Sequence, residues 1–441
     1  MISLIDLYQK YGECSGASTD TRKIPSDSMF FALKGPNFDA NTFAEQALEK
    51  GAKYAVVDDP NVVTNNNIIL VEDGLKALQS LANYHRKQLR MPFIGLTGSN
   101  GKTTTKELIN SVLSTKYKTY CTQGNLNNHI GVPLTILAIQ NDIEIVIVEM
   151  GANKQGDIKE LVEICEPTHG FITNIGKAHL EGFRGMQGVR KGKGELFDWL
   201  AKNRQTIFVN IASHPTYEMA QERHGFKEII TYTTNTNRRF STVVTMIEDS
   251  PFVKFIERDG GYYTSHLTGE YNFENMVAAI RIGQYFGIEL QKACQAVADY
   301  SPDNNRSQFI QKGSNNVLMD AYNANPSSMS AAITYFNDLK SDRKMVILGD
   351  MFELGDAAEL EHRALGKLLT KCNFDKILLV GKLMEFAIQE IPVMNALYFP
   401  DKFGLYIWLQ DYPQTDMYIL VKGSRGMGLE SVLPFLDIRN L

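Results

Sequence analysis

Residues 95–104 read Gly95-Leu96-Thr97-Gly98-Ser99-Asn100-Gly101-Lys102-Thr103-Thr104. An apolar run, Phe93 to Leu96, leads in, and Thr104 to Thr115 leads out with Leu108, Ile109, Val112 and Leu113 at helical spacing. Strand, glycine turn and helix in that order let backbone N–H groups and a helix N-terminus converge on phosphate oxygens. The usual spacing asks for glycine where Leu96 stands, but Thr97-Gly98-x-x-Gly101-Lys102-Thr103 fits a shorter variant. Gly98, Ser99, Asn100, Gly101 and Thr104 then form the cradle, Lys102 offsets the β- and γ-phosphates, and the Thr103 hydroxyl serves Mg²⁺. The stretch predicts a nucleoside-triphosphate site on a parallel α/β sheet.

Two further residues fall at the same sheet edge. Glu149 ends the apolar strand Ile143 to Val148, and the carboxyl ends of parallel strands face the ligand crevice. An acid there suits Mg²⁺, directly or through water. His179 follows the strand Gly170 to Thr173, which gives it a metal or phosphate role on position. By contrast, Gly423-Ser424-Arg425-Gly426-Met427-Gly428 has its glycines in the reverse order of a dinucleotide fingerprint and reads as a loop.

The flanks alternate as well. Residues 1–90 mix short strands (Met29 to Leu33, Tyr54 to Val57, Ile68 to Val71) with helices over Thr42 to Lys50 and Leu75 to Leu89, and Pro92 stops the second. Asn235 to Leu267, with β-branched runs at Ser241 to Met246 and Val253 to Ile256, predicts hairpins appended to the central sheet. Beyond about residue 310, strands at Lys344 to Leu348, Lys376 to Val380, Ala396 to Phe399 and Met417 to Val421 alternate with helices. Three α/β domains are expected: 1–90, 91–310 and 311–441.

Composition narrows the function classes. The 441 residues are 44% hydrophobic and 22% charged, which excludes disorder and low-complexity classes. A formal charge of −5 argues against a chain devoted to coating nucleic acid. The apolar runs are strand-length, far below the ~20 residues of a membrane span, and Met1 to Tyr11 lacks the pattern of a signal peptide. Five scattered cysteines in no CxxC spacing predict reduced thiols and a cytoplasmic protein.

Further strings run in order from residue 19 to 425. They are Thr19-Asp20-Thr21-Arg22, Ala32-Leu33-Lys34-Gly35, Gly124 to Leu134, Glu149-Met150-Gly151-Ala152-Asn153, Ala178 to Phe183 and Lys193-Gly194-Glu195. Gly269 to Asn275, Asp320-x-Tyr322-Asn323-Ala324-Asn325-Pro326, Gly349-Asp350-Met351-x-Glu353-Leu354-Gly355 and Lys422-Gly423-Ser424-Arg425 follow. Together they resemble the Mur ligases, over nearly the whole chain. The resemblance implies a smaller N-terminal α/β domain for a UDP-sugar, a central P-loop ATPase domain with a mostly parallel sheet, and a C-terminal Rossmann-like domain.

It also implies an activity: ATP-dependent joining of D-Ala-D-Ala to UDP-N-acetylmuramoyl-tripeptide through an acyl phosphate, for peptidoglycan synthesis. The string from Gly349 to Gly355 and that from Asn323 to Pro326 point to the D-Ala-D-Ala-adding branch. By position, Lys102, Glu149, His179, Lys193 and Arg306 become catalytic candidates. Thr103, Glu149, His179 and Lys193 would hold two Mg²⁺, with Lys193 carbamylated and Lys191 its fallback. Asn275 resembles an adenine contact supported by Asn272, Arg306 a γ-phosphate contact and Asp320 a ribose contact. Asp20, Thr21 and Arg22 resemble the UDP segment, and Asn127 and Asn128 substrate contacts. The partners expected are these small molecules, with neither nucleic acid nor membrane, and the chain a monomer. A related Mur-type or folylpolyglutamate-type ligase, or a P-loop switch without ligase chemistry, are the alternatives; the strings weigh against the folate reading, and the two extra domains and lack of basic excess against the switch.

Overall fold

A computed structural model describes residues 2–234, 244–302, 306–341, 343–392 and 396–436. Four parallel strands, in the order Ala17–Ser18, Met29–Phe31, Tyr54–Val57 and Ile68–Leu70, form the first sheet. The predicted helix over Thr42 to Lys50 resolves into a 3₁₀ turn at Ala40–Phe43 and a short helix at Ala44–Glu49. Asp39 caps the turn through Asn41 N–H, a local competitor that delays regular helix. The Gly74–Gln88 helix, capped by Asp73, turns Leu78, Leu81 and Ala82 inward. Its Arg86 donates to the carbonyls of Cys165 and Glu166, which ties this region to the next sheet.

The second sheet is wholly parallel. Its order is Glu228–Tyr232, Thr206–Asn210, His169–Ile172, Phe93–Thr97, Ile145–Glu149, Thr119–Cys121. Phe93 to Thr97 and Ile145 to Glu149 are buried throughout, as strands covered on both faces must be. The strand that follows Ile145–Glu149 in sequence crosses to the far side of Phe93–Thr97, so a crevice opens at the carboxyl ends beside residues 98–102. The expected hairpins form a separate antiparallel sheet of Val244–Glu248, Lys254–Glu257 and Tyr262–Thr264. Residues 241–243 of the run at Ser241 lie outside the described residues.

The third sheet runs Gln308–Lys312, Asn315–Asp320, Tyr418–Lys422, Lys344–Gly349, Lys376–Val380, Ala396–Phe399. It departs from a wholly parallel order at one edge, where Gln308–Lys312 pairs antiparallel with Asn315–Asp320. Gly313, at φ 59°, closes that hairpin with Ser314 in two residues, a turn that tolerates left-handed backbone. A continuous apolar core links Leu7 and Leu78 of the first region, Val146 and Phe183 of the second, and Phe336 and Leu420 of the third. Among the described residues no helix is long and apolar enough to cross a membrane, and the five cysteines are free thiols.

Candidate active site

The turn after Phe93–Thr97 is built to exclude side chains. A Cβ on Gly98 would stand 1.8 Å from Thr173 Oγ1, and one on Gly101, at φ 77°, would meet the Asn275 amide at 2.9 Å. The turn is pinned across the sheet. Ser99 N and Asn100 N donate to the Asn174 carbonyl and side-chain oxygens at 3.0 Å each, and Thr173 Oγ1 donates to Asn100 O at 2.6 Å. From the third sheet's side, Asn325 Nδ2 donates to Asn100 Oδ1 at 2.7 Å. The helix Lys102–Leu113 starts directly from Gly101 with no side-chain cap, which leaves its first N–H groups for an anion. Lys102 Nζ folds back on Gly98 O at 2.8 Å. Burial lowers the pKa of Lys102; Glu149 opposes that shift and the Arg306 charge adds to it.

A cleft of about 990 Å³ opens over this turn. Ser99 to Thr104, Asn127, Asn128, Glu149, His179, Asn272, Asn275, Arg306 and Asp320 all line it, so most candidates spread over the chain converge. Glu149 is buried, and its Oε1 accepts from Asn127 Nδ2 at 2.8 Å. Its Oε2 is equally buried and has no partner among the described residues. An orphaned carboxylate oxygen costs about 1–3 kcal/mol or more, so a cation or a donor fits there. Among the described residues no three carboxylates, histidines or cysteines converge on one point. A Mg²⁺ at Glu149 would therefore complete its shell with phosphate oxygens, hydroxyls and water, as that ion commonly does.

The opposite wall comes from the third sheet. Asp320 accepts from Ser307 N at 3.1 Å and from Lys422 Nζ at 2.5 Å, and Lys422 is almost wholly buried. The Arg306 guanidinium lies 3.6 Å from the centroid of the Tyr322 ring, with its Nε buried and without a partner among the described residues. Arg425 stacks on the same ring at 4.5 Å. His179, at φ 51°, brings Nδ1 into contact with a carboxylate oxygen of Glu353, although the two atoms miss hydrogen-bond geometry. That histidine holds the Glu353 carboxyl below its ordinary pKa against the opposing effect of burial.

The remaining candidates stand apart. Lys193 is fully buried behind the cleft, with Nζ 3.2 Å from Ala152 O and 5.1 Å from the Phe183 ring centroid. Burial and then the Lys102 charge push its pKa well below the lysine range, against weaker pulls from Asp157 and Glu195. Lys191, on the same Met186–Lys202 helix, faces solvent. Asp20 and Arg22 pair with each other at 2.8 Å, 42% and 87% exposed; they and Thr21 line no part of the cleft. Asn128 accepts from Ile130 N and Gly131 N, opening the Gly131–Leu137 helix, so part of its work is local.

Residues 13–86 match the Mur ligase family catalytic domain, 96–283 the Mur ligase middle domain, and 305–425 the Mur ligase glutamate ligase domain. The UDP-N-acetylmuramoyl-tripeptide–D-alanyl-D-alanine ligase of Bacillus subtilis is 36% identical over 95% of this chain and 92% of its own. The chain belongs to the Mur ligase family. The ligase of the same name from Escherichia coli is 34% identical, over 97% of this chain and 96% of its own. The crystal structure of MurF from Acinetobacter baumannii superposes with a TM-score of 0.84 at 29% identity, covering 98% of both chains.

Within this Mur ligase, several cleft residues carry no local signal. Asn174 is visible in sequence only as the residue after a strand, yet it holds the phosphate turn. Lys422 and Asn325 sit in strings that mark the family, but their contacts with Asp320 and Asn100 arise only when distant strands are brought together. Glu353 is likewise invisible as a neighbour of His179.

Proposed function

We infer that this chain is an ATP-dependent ligase that joins D-alanyl-D-alanine to UDP-N-acetylmuramoyl-tripeptide, forming the UDP-muramoyl-pentapeptide used for peptidoglycan. The carrying observation is one cleft in which a phosphate turn, a buried acid with a free oxygen and cations of the third sheet meet, in a chain similar end to end to ligases of that name. A carboxylate is a poor electrophile. Transfer of the γ-phosphoryl group of ATP to the tripeptide's terminal carboxylate yields an acyl phosphate and ADP. The amine of D-Ala-D-Ala then attacks the acyl carbon, loses a proton, and the tetrahedral adduct collapses with release of phosphate.

Phosphoryl transfer to an anion crowds negative charge, and catalysis rests on offsetting it. Lys102, the N–H groups of Gly98 to Thr104 and Arg306 carry that work on the phosphates. Asn275 and Asn272 serve the adenine side and Asp320 the ribose. Thr103, Glu149 and His179 would hold Mg²⁺, as two ions, with a carbamylated Lys193 as a further ligand. Mg²⁺, when bound, neutralises phosphate charge and orients the transferred group. Burial favours the neutral Lys193 amine, the form that adds to CO₂ with loss of a proton to become a carbamate. Its two hard oxygens suit Mg²⁺, which an ammonium repels. Asn127 and Asn128 meet the substrate near the reacting carboxylate. The Asp20–Thr21–Arg22 segment meets the UDP moiety, with residues 1–90 as the UDP-substrate domain. The boundary expected at 310 moves back to about 306, because Gln308–Lys312 belongs to the third sheet, which leaves 91–305 as the ATP domain and 306–441 as the C-terminal ligase domain. The enzyme works as a monomer in the cytoplasm.

Phosphate release tests the reading. With ATP and Mg²⁺, turnover is expected only when UDP-muramoyl-tripeptide and D-Ala-D-Ala are both present, and hydroxylamine should trap a hydroxamate when the dipeptide is left out. Equal rates with either substrate omitted would sink it.

A further inference from the structure

His179 and Glu353 are both non-glycine residues in left-handed backbone, at φ 51° and 61°. Such conformations cost of order 1 kcal/mol or more and persist where the surroundings impose them. The two meet across the boundary between the second and third sheets, Nδ1 against carboxylate, with His179 four-fifths covered and Glu353 half exposed. Glu181 N also donates to Glu353 O at 3.3 Å. Nearby, Lys177 Nζ pairs with Glu361 at 2.6 Å and Lys177 N donates to Ser327 Oγ at 2.9 Å, so the same loop is anchored twice more.

The Glu353 loop is held from behind. Met351 N donates to His362 Nε2 at 3.1 Å, Phe352 N to Ser424 Oγ at 2.9 Å, and Asp350 Oδ1 accepts from Met384 N at 3.0 Å. The carboxylate is thus delivered to a preset position. A neutral imidazole has one lone pair to give. Nδ1 already touches the carboxylate, and a ring rotation that brings its N–H into hydrogen-bond geometry leaves Nε2 as the nitrogen for a ligand; such partners fix both tautomer and ring orientation.

We propose that Glu353 is a positioning residue for the ligase reaction: it reaches from the third sheet to His179 Nδ1 and commits Nε2 to the cleft, so the histidine is ready for a divalent cation only while the Gly349–Gly355 loop is docked. The inference rests on the metal-side reading of His179 given above. Two measurements on the full chain test it. In the metal-free protein, ¹⁵N-histidine spectra should give the Nδ1–H tautomer for His179, and Glu353→Ala should abolish that preference. An Nε2–H tautomer in the parent overturns the proposal.

Mn²⁺ binding followed by electron paramagnetic resonance in the presence of ADP should weaken about tenfold in Glu353→Ala. It should weaken at least as much in His179→Ala, and no further in the double variant. Metal-free ADP affinity and the thermal midpoint should stay at parental values. A loss in either that matches the Mn²⁺ loss makes Glu353 a docking contact only and overturns the proposal, as do additive losses in the double variant. Parental Mn²⁺ affinity in Glu353→Ala with weakened binding in His179→Ala overturns the proposal and leaves the metal-side reading standing. Parental affinity in His179→Ala removes both.

Discussion

Asp20–Arg22 and Asp320–Lys422 are the same chemistry in two regions of the molecule, a carboxylate against a cation at 2.8 and 2.5 Å. Around the first sheet the pair is open to water, 42% and 87% exposed; in the third-sheet wall of the cleft it is 17% and 2% exposed. Arg22 holds the Asp20 carboxyl down at about 2, yet an exposed pair adds little to stability and can be traded for another anion. Lys422 has no such freedom, because leaving Asp320 would strand a charge away from solvent. The exposed pair is free to exchange partners, whereas the cleft pair is fixed before any ligand arrives.

The strongest test of this contrast lies at the phosphate turn. Lys102→Ala should lower ligase turnover by on the order of 10³-fold or more, since Lys102 is the cation that starts the helix at the turn itself, whereas Arg306 approaches from the opposite wall; phosphate release with both substrates measures it. Turnover within tenfold of the parent would break the claim that the cleft's charges act as a prearranged set. Next, Lys193→Ala should lose on the order of 10²-fold and regain part of that with added acetate, whereas Lys191→Ala stays near the parent. Lys193→Arg should remain inactive, because a fixed guanidinium cannot become a carbamate.

Lys422→Met probes the pair itself. Among the described residues it leaves Asp320 with the Ser307 N–H alone, at a cost of about 3 kcal/mol in urea unfolding. Adding Asp320→Asn should return part of the loss.

His169, at the start of a central strand, extends the contrast to pH. Burial, with Lys227 nearby, lowers its pKa to about 4. Below about pH 6.5 the unfolded chain takes up a proton that the native ring refuses, so stability rises with pH between about 4 and 6.5. The native state should lose ~2 kcal/mol across that window on acidification, and His169→Asn should flatten the slope in unfolding curves. The smallest effect belongs to Arg22→Ala: an unchanged urea midpoint, a raised KM for the UDP-substrate and an unaltered KM for ATP. Equal losses for both substrates would erase the division of labour between the regions.

Much of the site is legible because its parts are local. The Phe93–Thr97 strand, the glycine turn and the helix from Lys102 lie within 21 residues, and each follows from pattern and turn chemistry. Glu149 and His179 could be picked out because parallel strands send their carboxyl ends to one edge. Sequence alone separates Lys193 from Lys191 only by helical position. Which face is buried depends on Phe183 and the packed helix beneath. The antiparallel edge at Gln308–Lys312 is not legible in sequence, because one glycine turn reverses a strand without altering its apolar pattern.

Residue pattern alone established the alternation of strand and helix, the phosphate turn and the family, since periodicity, glycine placement and short strings need no knowledge of what lies across space. Pairings between distant segments depended on packing. Asn325 meets Asn100 across 225 residues and Lys422 meets Asp320 across 102, while His179 finds Glu353 only because two sheets dock. The reason is physical: backbone preference is set by near neighbours, whereas burial, the worth of a charge pair and the freedom of a carboxylate oxygen such as Glu149 Oε2 depend on which surfaces exclude water together.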